Sequence, residues 1–532
     1  MAIRRARPRI AARLALALCL LAGAGAAGVA HAGSLEHEVE RAAQRNFGEY
    51  LELLRRPNVA AVPADIARNA AYLERELERH ALRARLVGNA AGRPVVLGEL
   101  GAGASGLPTV LFYVHYDGQP VVASEWSQKD PFGPVVKRRT AAGAWEEVGA
   151  EALEATPLDP ELRVFARSAA DDKAPIVMFL TAVDLLSAQQ RAPAFDVKVL
   201  LDGEEEIGSP SLAETIASDR EAFRADALVI LDGPVHASGR PTLVLGNRGL
   251  AQTKLVVFGP RAPLHSGHYG NYVPNPAQRL AALLATMKDD DGRVLIEGYY
   301  DGVDLTPDDR AALAAVGDDE RALRERVGIA HPERVGASYQ EALQYPSLNV
   351  RGMAAGGVGA SAANVIPSEA VAEIDIRTTP GTDGRRLYEL VRRHIERQGY
   401  HLVDGAPTDE ERARYDKLAS FTLGSVQAAE RMPLDSDIAQ WAAGALAAPT
   451  APRPGDPPVR IRMMGATVPT DVLVDALHLP FVLVPTVNPD NNQHARDENL
   501  RIGNFVTGTE TIYSLLTTPF ETAARPHAVR PQ

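Results

Sequence analysis

Residues 108–118 read PTVLFYVHYDG, an apolar run that ends in a histidine, an aspartate and a glycine. A short apolar run bounded by Pro and Gly is typical of a strand that is buried on both faces. The pattern recurs in DVKVLLDGEEE at 196–206 and ALVILDGP at 227–234, and a helical stretch, KAPIVMFLTAVDLL at 173–186, lies between the first two strands. Strands that alternate with helices predict an α/β fold, with a mostly parallel sheet covered by helices.

Each predicted strand is followed by polar residues. His115 and Asp117 end the first strand, Glu205 and Glu206 follow the second, and Asp232 follows the third. A lone histidine at a strand end is more often a satisfied polar residue, and a run of glutamates is more often a solvated face. Open α/β sheets nevertheless assemble their sites beyond the carboxyl ends of their strands, so these clusters are expected to meet.

Two more polar clusters complete the pattern. Asp171 and Asp172 directly precede the helical stretch, where an N-cap is the simpler interpretation for one of them. His494 lies in PDNNQHARDEN, after the apolar run LPFVLVPTV. Two histidines and several carboxylates, each placed after a strand, form the mixed nitrogen and oxygen set of a two-metal hydrolytic site, with one acid left as base.

After Gly246 the pattern changes to β-α-β-β-α-β, ending in YHLVDG, which predicts an inserted α+β domain with one sheet and two helices. The predicted organisation is a catalytic domain over 33–246 and 431–532, interrupted by the insert at 247–430. A charged segment at 289–345 is expected to form a loop or arm within the insert.

The first residues, MAIRRARPRIAARLALALCLLAGAGAAGVAHAGS, contain five arginines, an uncharged apolar run and Ala30-His31-Ala32. This predicts a signal peptide over 1–32 and a periplasmic or secreted protein. A membrane anchor is the less favoured interpretation, because the apolar run is short and rich in Ala and Gly. Cleavage removes five arginines and no acid, which takes the formal charge from −12 to −17. It also removes Cys19, the only cysteine, so thiol chemistry is excluded. The acidic balance argues against nucleic acid or anionic lipid as partners.

These motifs, in this order from about Pro108 to the C-terminal region, resemble the glutamate carboxypeptidase and carnosinase family of di-zinc exopeptidases, family twenty of the metallopeptidases, and most of all its dipeptidase branch. The resemblance implies a di-zinc aminopeptidase-like catalytic domain with a ferredoxin-like dimerisation or lid domain. It also implies two divalent metal ions, for which zinc suits the ligands and manganese and cobalt accept the same set.

Residue by residue, the resemblance assigns the metal ligands, the general base and the substrate contacts. Glu205 is implied to be the general base, and Asp117 supports the first ligand histidine. The implied ligands are His115, Asp171 as the bridging carboxylate, Glu206, Asp232 and His494. The implied substrate contacts are His265, Asn364, Arg377, Gly465 and Thr467, of which His265 is expected to reach the site of a neighbouring subunit in a homodimer.

The predicted function is hydrolysis of the amide bond of dipeptides or short peptides. Two alternatives stay open, an N-acyl amino acid deacylase that uses the same residues and a non-catalytic binding protein on the same fold. The turn around the aspartate pair departs from the family, which usually has Gly-Arg-Gly before it and Gly after it. Here the corresponding residues are Ala166-Arg167-Ser168 and Ala174.

Overall fold

The computed structural model describes residues 35–88, 91–101 and 106–521. These residues divide into two compact units. The first contains the described residues up to Leu243, Asp435–Val459 and those from Ala476 onward, and the second contains Val244–Leu434 and Arg460–Asp475. The last segment corrects the sequence prediction, which assigned everything after residue 430 to the catalytic domain.

The elements are numbered along the chain. The first part contains α1 (35–54), α2 (Pro63–Arg79), β1 (Arg83–Val87), β2 (Val95–Leu100), β3 (Thr109–His115), β4 (Val135–Arg139), β5 (Trp145–Val148), β6 (Arg163–Phe165), α3 (Lys173–Ala188), β7 (Asp196–Asp202), α4 (Leu212–Ser218), β8 (Ala227–Ile230) and β9 (Thr242–Val244). The middle part contains β10 (Gly246–Asn247), β11 (Gly249–Phe258), β12 (Leu264–His265), α5 (Ser266–Tyr269), α6 (Pro276–Ala285), α7 (Pro307–Ala315), α8 (Glu320–Val327), α9 (Tyr339–Ala342), β13 (Ser347–Ala354), β14 (Val365–Ile366), β15 (Glu369–Thr378), α10 (Gly384–Arg397), β16 (His401–Leu402), α11 (Asp409–Arg414), β17 (Leu418–Gln427) and β18 (Glu430–Arg431). The last part contains α12 (Asp437–Ala445), β19 (Val459–Ile461), α13 (Thr470–Leu477), β20 (Phe481–Leu483), β21 (Asn499–Arg501) and α14 (Ile502–Thr517).

The main sheet has the strand order β1-β2-β7-β3-β8-β20-β9-β19. Strand β3 runs parallel to both β7 and β8, and β20 runs parallel to β8, whereas β1, β2 and β7 pair antiparallel. The sheet is therefore mixed, with a parallel centre. Six of the seven residues of β3 are buried, as expected for a central strand covered on both faces.

Helices pack against this sheet: α2 contacts β1 and β2, and α3 contacts β3. Helix α3 also packs against α14. Helix α3 is apolar on nearly every side and is buried along most of its length, because it lies between the sheet and another helix. At its start, the buried Lys173 ammonium donates to the carbonyls of Leu53, at 2.9 Å, and Arg56, at 2.7 Å. Lys173 thereby satisfies carbonyl groups at the end of α1.

An ion-pair cluster joins three helices of the first unit. His80, which caps α2, has its Nδ1 2.7 Å from Asp184 of α3 and its Nε2 3.0 Å from Glu49 of α1. Burial lowers the pKa of His80, but the hydrogen bonds to the two carboxylates outweigh that effect and raise it to about 9. The protonated imidazole thus holds α1, α2 and α3 together.

The second unit contains a five-stranded sheet with the order β13-β15-β11-β17-β16. Strands β11, β13 and β15 and helices α6 and α10 match the predicted insert. The strand predicted in YHLVDG is present as the two-residue edge strand β16, but the prediction missed the long strand β17, which pairs with β11. Helix α10 buries Leu387, Val391 and Ile395 on one stripe that faces the sheet, and the 289–345 segment contains α7, α8 and α9.

No helix among the described residues is long and apolar enough to cross a membrane. The predicted signal peptide, with cleavage after Ala32, lies outside the described residues.

Candidate metal centre

The register of the central strands brings the polar clusters to one edge of the main sheet. His115, the last residue of β3, pairs with Asp202, the last residue of β7, so both strands end at the same level. Ile230, the last residue of β8, pairs with Leu483 of β20 in the same way. The residues that follow these strand ends, including Glu205 and Glu206, therefore lie at one edge, as expected for a sheet of this type.

Asp117 joins the end of β3 to the turn after β7. Its carboxylate Oδ1 lies 3.3 Å from His115 Nδ1, and its two oxygens accept the backbone N–H groups of Glu205, at 3.2 Å, and Glu206, at 3.0 Å. Both Asp117 and His115 are fully buried. Asp117 thus orients the imidazole, whose Nε2 faces the other carboxylates, and fixes the turn that presents the two glutamates.

Asp171 lies between the two histidines. Its Oδ1 is 2.9 Å from His115 Nε2, and its Oδ2 is 3.0 Å from His494 Nε2. Burial raises the pKa of Asp171, but the hydrogen bonds from His115 and His494 outweigh it and bring the pKa well below its ordinary value. The peptide bond between Asp171 and Asp172 is cis. A carboxylate with one oxygen directed at each histidine has the geometry of a bridging ligand.

At this edge of the sheet the side chains form two donor groups, in each of which all ligand atoms lie within 4.8 Å of one another. One group is His115, Asp172 and Asp232, and the other is Asp171, Glu206 and His494. Within the second group, His494 Nε2 lies 3.2 Å from Glu206 Oε2. Each group combines one imidazole with two carboxylates, a set that suits zinc, manganese or cobalt.

The crowding of carboxylates also favours cations. Burial and then the charge of Asp171 raise the pKa of Asp232 to about 7. Burial and then the charge of Asp232 raise the pKa of Asp172 well above its ordinary value. These shifts reflect negative charges that repel one another in a buried place, and divalent cations would neutralise them.

Glu205 lies beside both donor groups and belongs to neither. Its Oε2 is 3.9 Å from His115 Nε2, and only 12% of its side chain is exposed. Burial raises the pKa of Glu205 well above its ordinary value, against the opposing charge of His115. A carboxylate that is near the ligands and has a raised pKa is suited to proton transfer near neutral pH.

The three consecutive glutamates have different environments. Glu204 is buried and accepts hydrogen bonds from the backbone N–H of Ser211, at 2.9 Å, and from the Ser211 hydroxyl, at 3.2 Å. Arg93 Nη1 lies 3.6 Å from Glu204 Oε1. Glu206 accepts a hydrogen bond from Gln119 Nε2 at 2.7 Å. The run is therefore not a solvated face, because Glu204 is structural and Glu205 and Glu206 belong to the site.

Two residues of the site had no predicted role. Asp172, which the N-cap interpretation covered, makes no side-chain cap to α3 and belongs to a donor group instead. Glu498 is fully buried beside the turn that carries Asp171 and accepts the backbone N–H of Asp171 at 2.9 Å. The only signal for Glu498 is its position four residues after His494, in a stretch where most residues are polar.

The predicted substrate residues lie in the second unit, in two places. His265 ends β12, is exposed, and pairs in the β12–β14 ribbon with Val365, next to Asn364, whose carbonyl accepts the N–H of Ser266 at 2.9 Å. The His265 ring lies 4.6 Å from that of His268.

The second place is the end of β15. Arg377 Nη1 donates to the hydroxyl of Thr467 at 2.7 Å, and that hydroxyl donates to the carbonyl of Arg248, also at 2.7 Å. Gly465 follows Met464, whose carbonyl accepts the N–H of Arg248 at 3.2 Å. These contacts fix the guanidinium of Arg377 relative to the segment that contains Gly465 and Thr467.

Comparison with known proteins shows which families and solved structures this chain is similar to. Residues 245–402 match the model of a peptidase dimerisation domain. Over 425 residues the chain is 27% identical to a Cys-Gly metallodipeptidase of Schizosaccharomyces pombe, covering 78% of this chain and 80% of that protein. It is 26% identical over 427 residues to the beta-Ala-His dipeptidase of Homo sapiens, covering 78% of this chain and 76% of the relative.

Among solved structures, an M20 family metallo-carboxypeptidase from Sulfolobus solfataricus matches with a TM-score of 0.71 and 27% identity, over 88% of this chain and 98% of that chain. The fold, the donor groups and these relatives define a metallopeptidase that combines a catalytic α/β unit with a peptidase dimerisation domain. Residues 245–402 thus match a peptidase dimerisation domain, and the chain as a whole is similar to M20 metallopeptidases and metallodipeptidases.

Proposed function

We propose that this protein is an exported dipeptidase of the M20 type that hydrolyses the amide bond of dipeptides, with Glu205 as its general base. One observation carries the proposal: Asp171 faces both histidines, and Glu205 lies beside the two donor groups without belonging to either. The relatives support the substrate class, since their names describe dipeptidases that act on Cys-Gly and beta-Ala-His.

The donor groups would hold two divalent cations, which polarise a carbonyl and lower the pKa of water to about 7. Within this arrangement Glu205 takes a proton from the attacking water and delivers it to the leaving amine. Asp117 keeps the His115 ring in the orientation that directs Nε2 toward Asp171. The chain thus supplies the metal ligands and one residue, Glu205, that acts as general base and then as general acid.

Substrate recognition is assigned to the second unit. Arg377 presents a planar guanidinium, held by Thr467, that binds a substrate carboxylate through two parallel hydrogen bonds. Asn364 and His265 also contact the substrate. His265 stabilises the developing oxyanion in the neighbouring subunit of a homodimer. The match of 245–402 to a peptidase dimerisation domain supports this assembly.

An assay with defined metals tests the proposal. The purified protein is stripped of metal, reloaded with Zn²⁺, Mn²⁺ or Co²⁺, and given a panel of dipeptides and the matching N-acetyl amino acids. We expect turnover of free-amine dipeptides that depends on metal. Preferential turnover of the N-acetyl compounds would identify a deacylase instead, and no metal-dependent hydrolysis of either class would contradict the proposed function.

A further inference from the structure

The turn that carries Asp171 is held by one buried carboxylate. Glu498 Oε2 accepts hydrogen bonds from Arg167 Nη1 at 2.7 Å and from the N–H of Ser168 at 2.9 Å. Glu498 Oε1 accepts the N–H groups of Ala170 and Asp171, both at 2.9 Å. Four donors thus converge on a side chain that is fully buried. A carboxylate that accepts several backbone N–H groups forms a strong and directional contact.

The turn needs such a contact because its backbone is strained. Ser168 has a φ of 62°, in the left-handed region that non-glycine residues seldom adopt. Residues in such conformations persist only where the surrounding structure holds them. The Glu498 backbone adds to the side-chain contacts, since its carbonyl accepts the N–H of Ala166 at 3.1 Å. Glu498 therefore holds the turn from residue 166 to residue 171.

The segment that contains Glu498 also contains His494, a proposed metal ligand. Glu498 lies four residues after His494, whose Nε2 is 3.0 Å from Asp171 Oδ2. Metal sites require ligand distances within about 0.2 Å of their preferred values. By holding the Asp171 backbone on one side and continuing the His494 segment on the other, Glu498 sets how these two side chains face each other.

We infer that Glu498 is a positioning residue of the metal centre, which acts through the backbone of Asp171 and makes no contact with the metals itself. This inference rests on the proposed function, because it assumes that Asp171 is a ligand. It extends the site to a residue beyond the two donor groups. Loss of a residue that orients metal ligands typically weakens metal binding by 10–100-fold.

Metal affinity of the folded protein tests the inference. Glu498→Gln removes the charge and places an amide NH₂ among the N–H donors, so the Zn²⁺ dissociation constant, measured by competition with a chelating dye, should rise by about 10–100-fold. Glu510→Gln is the matched control, since Glu510 is a buried glutamate of α14 that belongs to neither donor group. Asp171→Asn is the positive control and should also weaken Zn²⁺ binding.

The outcomes separate the inference from the proposed function. A folded Glu498→Gln protein with wild-type Zn²⁺ affinity and only a lower Tm would show a purely structural role and overturn the inference. If Asp171→Asn also bound Zn²⁺ normally, the proposed metal centre itself would be wrong. Should Glu498→Gln not fold, Glu498→Asp replaces it, because this variant keeps the charge and shortens the reach by one methylene. A wild-type Zn²⁺ affinity in Glu498→Asp would equally contradict the inference.

Discussion

The run of three glutamates allows one isosteric change, Glu to Gln, to be compared at adjacent positions. At Glu205 the change removes the proposed base while leaving both donor groups complete. We expect kcat to fall by 10²–10⁴-fold, the usual effect of losing general acid-base catalysis. That range corresponds to about 2.7–5.5 kcal/mol of transition-state stabilisation. The metal content should stay at the wild-type value.

The two neighbouring positions give contrasting expectations. Glu206 lies 3.2 Å from His494 Nε2 within a donor group, so Glu206→Gln should reduce the bound metal as well as turnover. Glu204 belongs to neither donor group, and its carboxylate accepts two hydrogen bonds from Ser211. Glu204→Gln should therefore lower stability by about 1–3 kcal/mol, as for a buried group whose partners are lost, without loss of metal.

Three measurements on each purified variant distinguish these roles. Metal per subunit is determined by elemental analysis, kcat with a cleaved dipeptide, and Tm by thermal unfolding. The reasoning would be refuted if Glu205→Gln retained near-normal kcat with its metals bound, or if it lost metal as Glu206→Gln is expected to do. Either result would remove the distinction between base and ligand that the geometry of the turn supports.

The pKa of His80 is raised to about 9 from an ordinary value near 6.5, so its stabilising effect is complete below about pH 6.5 and is lost as the pH rises through about 9. Because Asp184 is 35% exposed, solvent weakens the interaction, and we expect the protonated His80 to contribute about 2 kcal/mol to the free energy of unfolding. When this free energy is measured by urea unfolding at pH 6 and pH 9.5, it should decrease less in His80→Gln than in wild type. Mixing inactive His265→Ala and Glu205→Gln proteins should restore partial activity in heterodimers, and no recovery despite demonstrated subunit exchange would contradict a shared site. N-terminal sequencing of the exported protein should find a start directly after Ala32, whereas a start that retains the arginines would disprove signal cleavage.

Much of the catalytic unit could be predicted from local pattern. The apolar run that ends at His115 predicted a buried central strand, and the structure places it between β7 and β8. The rule that parallel strands end at one edge then brought Asp232 and the glutamates into one region without any contact being known. The prediction was less successful in the second unit, where YHLVDG has the composition of a strand and β17 lies further along the chain. Local composition does not determine which of two nearby apolar segments pairs with β11.

The sequence by itself determined the residue types available for the site and the strands that carry them, because apolar periodicity and strand ends are local properties of the chain. The residue pattern alone did not say which carboxylates lie together, and only the tertiary structure shows how they divide between the two donor groups. Asp171 and Asp172 are identical neighbours in the sequence, yet Asp171 faces both histidines and Asp172 joins the group with Asp232. Glu498 is one acid among several polar residues until the fold places it against the turn of Asp171. The role of a carboxylate depends on burial and on partners brought together from distant parts of the chain, and these exist only once the sheet has formed.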